Sequence, residues 1–210
     1  MGERVNRKLL LSQAVPGRRR AVAGLCHPPS SAPRADGVAL EVAPGDYSTT
    51  SYDQPVFSAV NGGVPTTTGK TRLFSSGPGS LGAAASGAGS RIELRDTEIR
   101  TRGFVGKGID VRMGGSALAE NISIDTDGRS AHGVFLSYDD IHAALTRTDV
   151  RPTGDYASAL FMPGASSVAF GDAYLQTARY AAAGVDARKA VSTGRARPTC
   201  RPASACACMA

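Results

Sequence analysis

The stretch Ile124–Leu136, IDTDGRSAHGVFL, gathers side chains that could do chemistry. Asp125 and Asp127 stand two residues apart, Gly128 and Arg129 follow, and His132 comes shortly after. Carboxylates so placed could hold calcium, act as an acid/base pair, or balance nearby charge. An EF-hand loop needs D-x-[DN]-x-[DN]-G and a later Glu. Here Gly128 directly follows Asp127 and no Glu occurs after Glu120. Glycoside hydrolysis needs two carboxylates about 5–9.5 Å apart in one cleft. Glu98 and Asp149 could stack on either side of Ser123, two strand spacings or ~9.6 Å apart. The turns beside them are short and offer no long loop as a substrate wall.

Other candidates are weaker. Thr66–Thr71, TTTGKT, is similar to a phosphate loop, but G-x-x-x-x-G-K-[ST] requires Gly where Val64 stands. No helical pattern follows, so a turn is expected. His132 and His142 lie ten residues apart with no third ligand or nucleophile pattern, and both are expected in solvent-facing turns. There is no G-x-S-x-G elbow and no Arg-Gly-Asp tripeptide. The sequence therefore nominates no catalytic, cofactor-binding or metal-binding residue.

What must position these side chains is a repeat. Tyr47, Leu73, Ile99, Ile124, Val150 and Leu175 are anchors spaced 25 or 26 residues apart. Ten residues after each stand Phe57, Ala83, Ile109, Val134, Leu160 and Val185, and twelve after stand Ala59, Ala85, Val111, Leu136, Met162 and Ala187. Apolar pairs also precede the anchors, as in Leu40 and Val42, Ile92 and Leu94, Ala117 and Ala119, or Ala143 and Leu145. In the unit anchored at Leu73 the corresponding pair is Thr66 and Thr68. Apolar residues at i and i+2 share one face of a strand, and a helical period is absent. One such unit cannot bury its inner face alone, but stacked units can. The expected fold is all-β, a parallel β-helix (β-solenoid) of about six coils of 25–26 residues. Small residues just before the tenth position, Gly108, Gly133, Ala159 and Gly184, are expected where the chain bends.

Stacking also accounts for the acids. Asp125 should lie between Arg100 and Arg151, and Asp127 between Arg102 and Thr153. Exposed pairs of this kind are worth ~0–1 kcal/mol each. The reading of Asp125 and Asp127 is thus structural.

Charge and cysteine divide the chain. Residues 1–36 carry seven Lys/Arg against Glu3 and Asp36, and residues 179–210 carry six against Asp186, so each end is +5. The middle carries eleven basic and fifteen acidic side chains, or −4, completing the net +6. The body is therefore mildly acidic, and no nucleic-acid partner is expected. Cys26 lies in the first segment and Cys200, Cys206 and Cys208 in the last, without zinc-site spacing. Leu9–Leu11 is too short for a secretory apolar core of about 7–15 residues. No apolar run reaches the ~18 residues of a membrane helix, so this chain is not expected to insert into a membrane. The expected layout is a basic irregular leader over 1–36, a β-helix over 37–190, and an irregular basic, Cys-containing tail over 191–210.

From Gly37 to Ala187 the sequence resembles the pertactin-like passenger domains of bacterial autotransporters. The resemblance is carried by the rhythm ALxxxxxxIxTxG…GVxL, by Gly115-Ser116-Ala117-Leu118, and by Asp96-Thr97 and Thr148-Asp149. It implies a right-handed parallel β-helix, at the cell surface, on the outer membrane or secreted. It also implies an adhesin or virulence-factor role, binding a host-cell surface or matrix ligand without catalysis. Full-length members carry a signal peptide and a C-terminal translocator barrel, and neither pattern is seen in this sequence. The expectation is a passenger fragment whose flanks are not native passenger sequence. The alternatives are a carbohydrate-active β-helix enzyme, a polysaccharide lyase or hydrolase, and a non-functional truncated remnant.

Overall fold

Alternating apolar and polar residues make strands that bury one face, and from Arg34 onward the strands pair with counterparts about 25 residues away. A computed structural model describes residues 32–188, together with the backbone of Ala21–Val22 and Val191–Cys200. The fold is a parallel β-solenoid of about six turns, with no helix among the described residues. One sheet of seven strands is built from Arg34–Asp36, Pro55–Val60, Leu81–Ser86, Lys107–Arg112, His132–Ser137, Leu160–Met162 and Val185–Ala187, in chain order along the stack. The larger sheet contains eleven strands, among them the long Ser116–Asp127, His142–Pro152 and Ser167–Thr177.

The anchors stack as the repeat requires. Tyr47 pairs with Leu73, Leu73 with Ile99, Ile99 with Ile124, Ile124 with Val150, and Val150 with Leu175. On the smaller sheet Phe57, Ala83, Ile109, Val134, Leu160 and Val185 form a second ladder. Phe57, Leu73, Ile99, Ile109, Ile124 and Leu160 are among the fully buried side chains of one continuous core. Burying each large aliphatic side chain contributes ~1.5–3 kcal/mol.

Two details differ from the sequence reading. In the second unit the inward residues are Pro65 and Thr67, which pair with Leu40 and Val42, rather than Thr66 and Thr68. The turn that follows, before the strand Thr71–Ser75, holds one more residue than the spacing of the other units implies. Strand structure also extends past both expected edges. Arg34–Asp36 pairs with Ser58–Val60, and Ala21–Val22 pairs with Leu40–Glu41. The backbone of Val191–Cys200 is a strand parallel to Ser167–Thr177, where an irregular tail was expected. The remaining leader and tail, including Cys26, Cys206 and Cys208, lie outside the described residues.

Of the small residues before the tenth position, Ala159 and Gly184 stand in bends as expected, whereas Gly108 and Gly133 lie within strands and have a different cause. Gly82, Gly108 and Gly133 have no left-handed φ. A Cβ on Gly108 would lie 2.2 Å from Cγ2 of Ile124 and 2.6 Å from the Gly133 carbonyl oxygen. Gly82 meets Ile99 in the same way at 2.3 Å, and Gly133 meets Val150 at 2.1 Å. Each β-branched anchor therefore seats a methyl group where the preceding coil has no side chain. Where the next anchor is Leu73 or Leu175, whose branch lies one carbon farther out, the corresponding position holds Val56 or Ala159. A second glycine ladder brings backbones together: a Cβ on Gly128 would lie 2.2 Å from the Gly103 carbonyl oxygen.

Corners are stacked by the backbone itself. Asp53, Gly79, Val105, Ser130, Tyr156 and Ala181 all have φ between 50° and 66°. From Asp53 to Tyr156, each N–H of this series donates to a carbonyl of the next coil at 2.8–3.2 Å, as Val105 does to Arg129 and Tyr156 to Tyr180. A left-handed non-Gly residue costs ~1–2 kcal/mol, and this ladder offsets that cost.

The Gly82–Ile99, Gly108–Ile124 and Gly133–Val150 contacts lead to a direct expectation. Gly108→Ala forces overpacking against both a methyl group and a carbonyl, and should destabilise the fold by ~1–3 kcal/mol. A lowered urea midpoint with unchanged m-value would report it, and an unchanged midpoint would contradict the interlock.

Candidate functional site

The structure brings the sequence candidates into register but pairs their charges differently. Asp125 lies between Arg100 and Arg151, and Asp127 beside Arg102, as stacking requires. Thr153 Oγ1 donates to Asp127 Oδ1 at 3.2 Å. The arginines, however, form their ion pairs along their own strands. Arg100 reaches Glu98 at 2.5 Å, and Arg151 pairs with Asp149, so the expected Arg100–Asp125–Arg151 bridge does not form. Residues i and i+2 point to the same side of a strand, which places those partners within reach of a long guanidinium.

His132 is a correction. It is the first residue of the strand His132–Ser137, not an exposed turn residue, and it is half-buried. Its ring stacks on Phe161 with centroids 4.6 Å apart, and Nδ1 accepts a hydrogen bond from the Ser158 N–H at 3.1 Å. That bond places any ring proton on Nε2. Burial, reinforced by Lys107 and opposed by Asp186, pushes the imidazole down to about 4. His142 opens the strand His142–Pro152 on the other sheet, is exposed, and shares a hydrogen bond with Ser167 Oγ. The two histidines are not brought together. Among the described residues no cluster of three or more His, Cys, Asp or Glu could hold a metal ion.

Around His132 the outer face of the smaller sheet carries a strip that sequence reading missed. Phe135 pairs in register with Phe161 and stacks on it at 5.3 Å. Lys107 Nζ lies 4.6 Å from the Phe135 ring centre, and the Arg188 guanidinium lies 5.5 Å from that of Phe161. Asp110 is fully buried beneath Lys107, which pairs with it at 3.3 Å, and Arg112, whose Nε donates at 2.8 Å. Its outward register position gave no sign of that burial. Paired in this way, Asp110 holds Lys107 beside the strip and is a structural acid.

Two surfaces remain open. The first is a groove of about 610 Å³ on the larger sheet. It forms where the long strands bend, at a corner whose residues Asp96, Asn121, Arg147 and Asp172 have φ of 47–58°. Asn121 Nδ2 donates to Asp96 Oδ1 at 2.5 Å across the coils. The groove wall includes Lys70, Arg72, Glu98, Ser123, Arg147 and Asp149. Glu98, Ser123 and Asp149 stack in that order, as the sequence suggested. Burial raises the Asp149 carboxyl above its ordinary range, against the pull of Arg151 and with the help of Asp125. The TTTGKT segment ends one strand and begins another, so no helix N-terminus is present to cradle phosphate; its Lys70 instead lines this groove.

The second surface is a ridge along the corner of Asp53, Val105, Tyr156 and Ala181. Tyr52, Phe104, Val105, Tyr156 and Tyr180 are five of the eight exposed large hydrophobic residues among those described, and all lie on this corner. Tyr156 packs edge-on against Tyr180 at 5.7 Å, and the Arg129 guanidinium lies 5.2 Å from the Tyr156 ring centre. From Tyr52 to Tyr180 the ridge spans five coil steps, about 24 Å at ~4.8 Å each. The sequence signal was present: Tyr52, Phe104 and Tyr180 all occupy the fifth position after their anchors.

Comparison with protein-family models, with curated proteins and with solved structures returns no match.

The His132 environment sets a pH dependence. The imidazole titrates near 6.5 when unfolded and near 4 when folded. Between these values the unfolded chain binds the extra proton, so stability is full above about pH 6.5 and falls as pH drops toward 4. The expected loss is on the order of 3 kcal/mol. Urea unfolding at pH 7 and pH 4.5 should show it, and His132→Phe should remove most of the difference. Equal pH slopes for the two proteins would contradict the assignment.

Proposed function

We propose that this chain is a binding solenoid of the autotransporter-passenger type, a surface-exposed module that acts by contact with a host-cell or matrix protein rather than by catalysis. The passenger part of this reading rests on the sequence rhythm and the Gly115–Leu118 step. The aromatic ridge supports the binding part. Its aromatic side chains stand exposed in turns where Gly or Ser would cost less, and Val105 and Tyr156 occupy left-handed backbone as well. Neither core packing nor backbone geometry calls for them. Tyr and Arg surrounded by Gly and Ser form the composition that protein-binding surfaces favour, because rigid amphipathic rings bury area at low entropic cost. Exposed patches of this kind mark interaction sites.

One observation favours a second reading, a carbohydrate-active enzyme. Glu98 and Asp149 line one groove two coils apart, and burial shifts the Asp149 carboxyl toward the protonated form that a general acid needs. Against it, Arg72 and Arg100 both engage Glu98.

The two readings separate experimentally. The full chain should bind immobilised extracellular-matrix proteins or fixed epithelial cells saturably. The double variant Tyr156→Ala, Tyr180→Ala should weaken that binding at least about tenfold with an unchanged melting curve, as loss of interface hot spots does. Undiminished binding by the double variant contradicts the ridge. Release of reducing ends or unsaturated products from polysaccharides, abolished by Asp149→Asn, supports the enzyme.

A further inference from the structure

We propose that the groove at the bend of the larger sheet binds an extended, uncharged oligosaccharide lying along the stacking axis. This site is separate from the aromatic ridge and does not depend on what the ridge binds.

Direction comes from the way the groove is built. Its walls come from equivalent positions of successive coils: Lys70 and Arg72, then Asp96 and Glu98, then Asn121 and Ser123, then Arg147 and Asp149. The lining therefore covers three coil steps, about 14 Å at ~4.8 Å each. A ligand that uses the whole groove must run across the strands and along the stack. The volume of about 610 Å³ falls within the ~300–1,000 Å³ of typical small-molecule sites.

The ligand class follows from the lining chemistry. Three basic side chains, Lys70, Arg72 and Arg147, face three acidic ones, Asp96, Glu98 and Asp149. Most of these charges are already compensated. Arg72 pairs with Glu98 at 3.2 Å and with Asp46 at 3.6 Å, Arg147 with Glu120 at 2.6 Å, and Asp149 with Arg151. A strongly anionic or cationic ligand would have to displace these pairs. Apolar ligands are disfavoured as well, because Ile122 is the one large apolar lining residue and it is only 4% exposed. What the groove offers is a dense row of donors and acceptors with no net charge. Paired hydroxyl groups on a sugar, each both donor and acceptor, match that row.

The middle of the groove carries a smaller side chain than its neighbours along the stack. Ser123 occupies the position held by Glu98 in the coil below and Asp149 in the coil above. The small side chain leaves a saddle between two carboxylates, into which one ring of a sugar chain lying along the axis can settle. Hydrogen-bonding capacity is left over here. Among the described residues Lys70 and the Ser123 hydroxyl make no side-chain hydrogen bond or ion pair.

The test is calorimetric titration of the full chain with neutral hexasaccharides of glucan, xylan, mannan and chitin type. The corresponding monosaccharides and a galacturonate hexamer serve as controls. At least one neutral hexamer should bind with Kd below about 1 mM, at least about tenfold tighter than its monosaccharide and than the charged hexamer. Ser123→Tyr, which fills the saddle, should weaken binding about tenfold or more. Should that variant fail to fold, Lys70→Ala with Asn121→Ala, both exposed positions, should weaken it in the same direction. The ridge double variant Tyr156→Ala, Tyr180→Ala should bind the sugar unchanged, so failure of the ridge reading and failure of this one are distinguishable. Absence of binding by all four neutral hexamers, tighter binding of the galacturonate hexamer, or full binding by the groove variants would overturn the proposal.

Discussion

The seating of a methyl group over a missing side chain at three successive coil junctions is the contact on which this solenoid depends. Ile99, Ile124 and Val150 each place a γ-methyl where Gly82, Gly108 and Gly133 leave room. Parallel strands alone fix the coil spacing but tolerate a slip in register. The methyl–glycine contact does not, because a shift of one residue would drive a side chain into a neighbouring backbone carbonyl. Interiors are close-packed and respond to changes of one methylene. The ladders of anchors, the second ladder on the smaller sheet and the stacked corners all inherit their alignment from this interlock.

With register fixed inside, the outside is free to vary, and the two sheets use that freedom differently. The larger sheet carries charges that neutralise one another along and between strands, and its bend creates a polar groove. The smaller sheet carries the His132, Phe135 and Phe161 strip over the buried Asp110, and the corner leading into it carries the aromatic ridge. Here the corner hydrogen bonds matter. The N–H donated from Val105 to Arg129 and from Tyr156 to Tyr180 holds side chains in a backbone conformation that β-branched and aromatic residues otherwise avoid. A rigid ladder of turns thus presents rings that a mobile loop would hold at a larger entropic cost on binding.

How much of this was legible in the sequence depended on which physical signal encoded it. Anchors from Tyr47 to Leu175 were readable because burial demands apolar residues at every coil. The weakest unit misled: Thr66 and Thr68 lie one residue out of step, because the turn before Thr71 is longer and threonine is not diagnostic of an inward position. Gly108 and Gly133 were visible, but their cause was not, since a missing Cβ looks the same in sequence whether it serves φ or packing. Asp125 and its arginine neighbours were placed correctly in register, yet which partner a flexible guanidinium chooses is a three-dimensional matter. Burial of His132 and Asp110 on an outward face depends on Phe161, Lys107 and Arg112 closing over them, and no strand pattern reports that.

The most direct measurement of the central claim is the distance between spin labels on one outward ladder. Ser48, Phe74, Arg100, Asp125 and Arg151 are successive rungs. Labels at Ser48→Cys and Arg151→Cys, with the native cysteines replaced by serine, should lie about 19 Å apart, four steps of ~4.8 Å. Moving the second label to Asp125→Cys should shorten the distance by one step. A narrow distribution that shortens rung by rung is the predicted result. A broad distribution, or one centred well beyond about 30 Å where six coils at ~4.8 Å would already have ended, would contradict the stacked register.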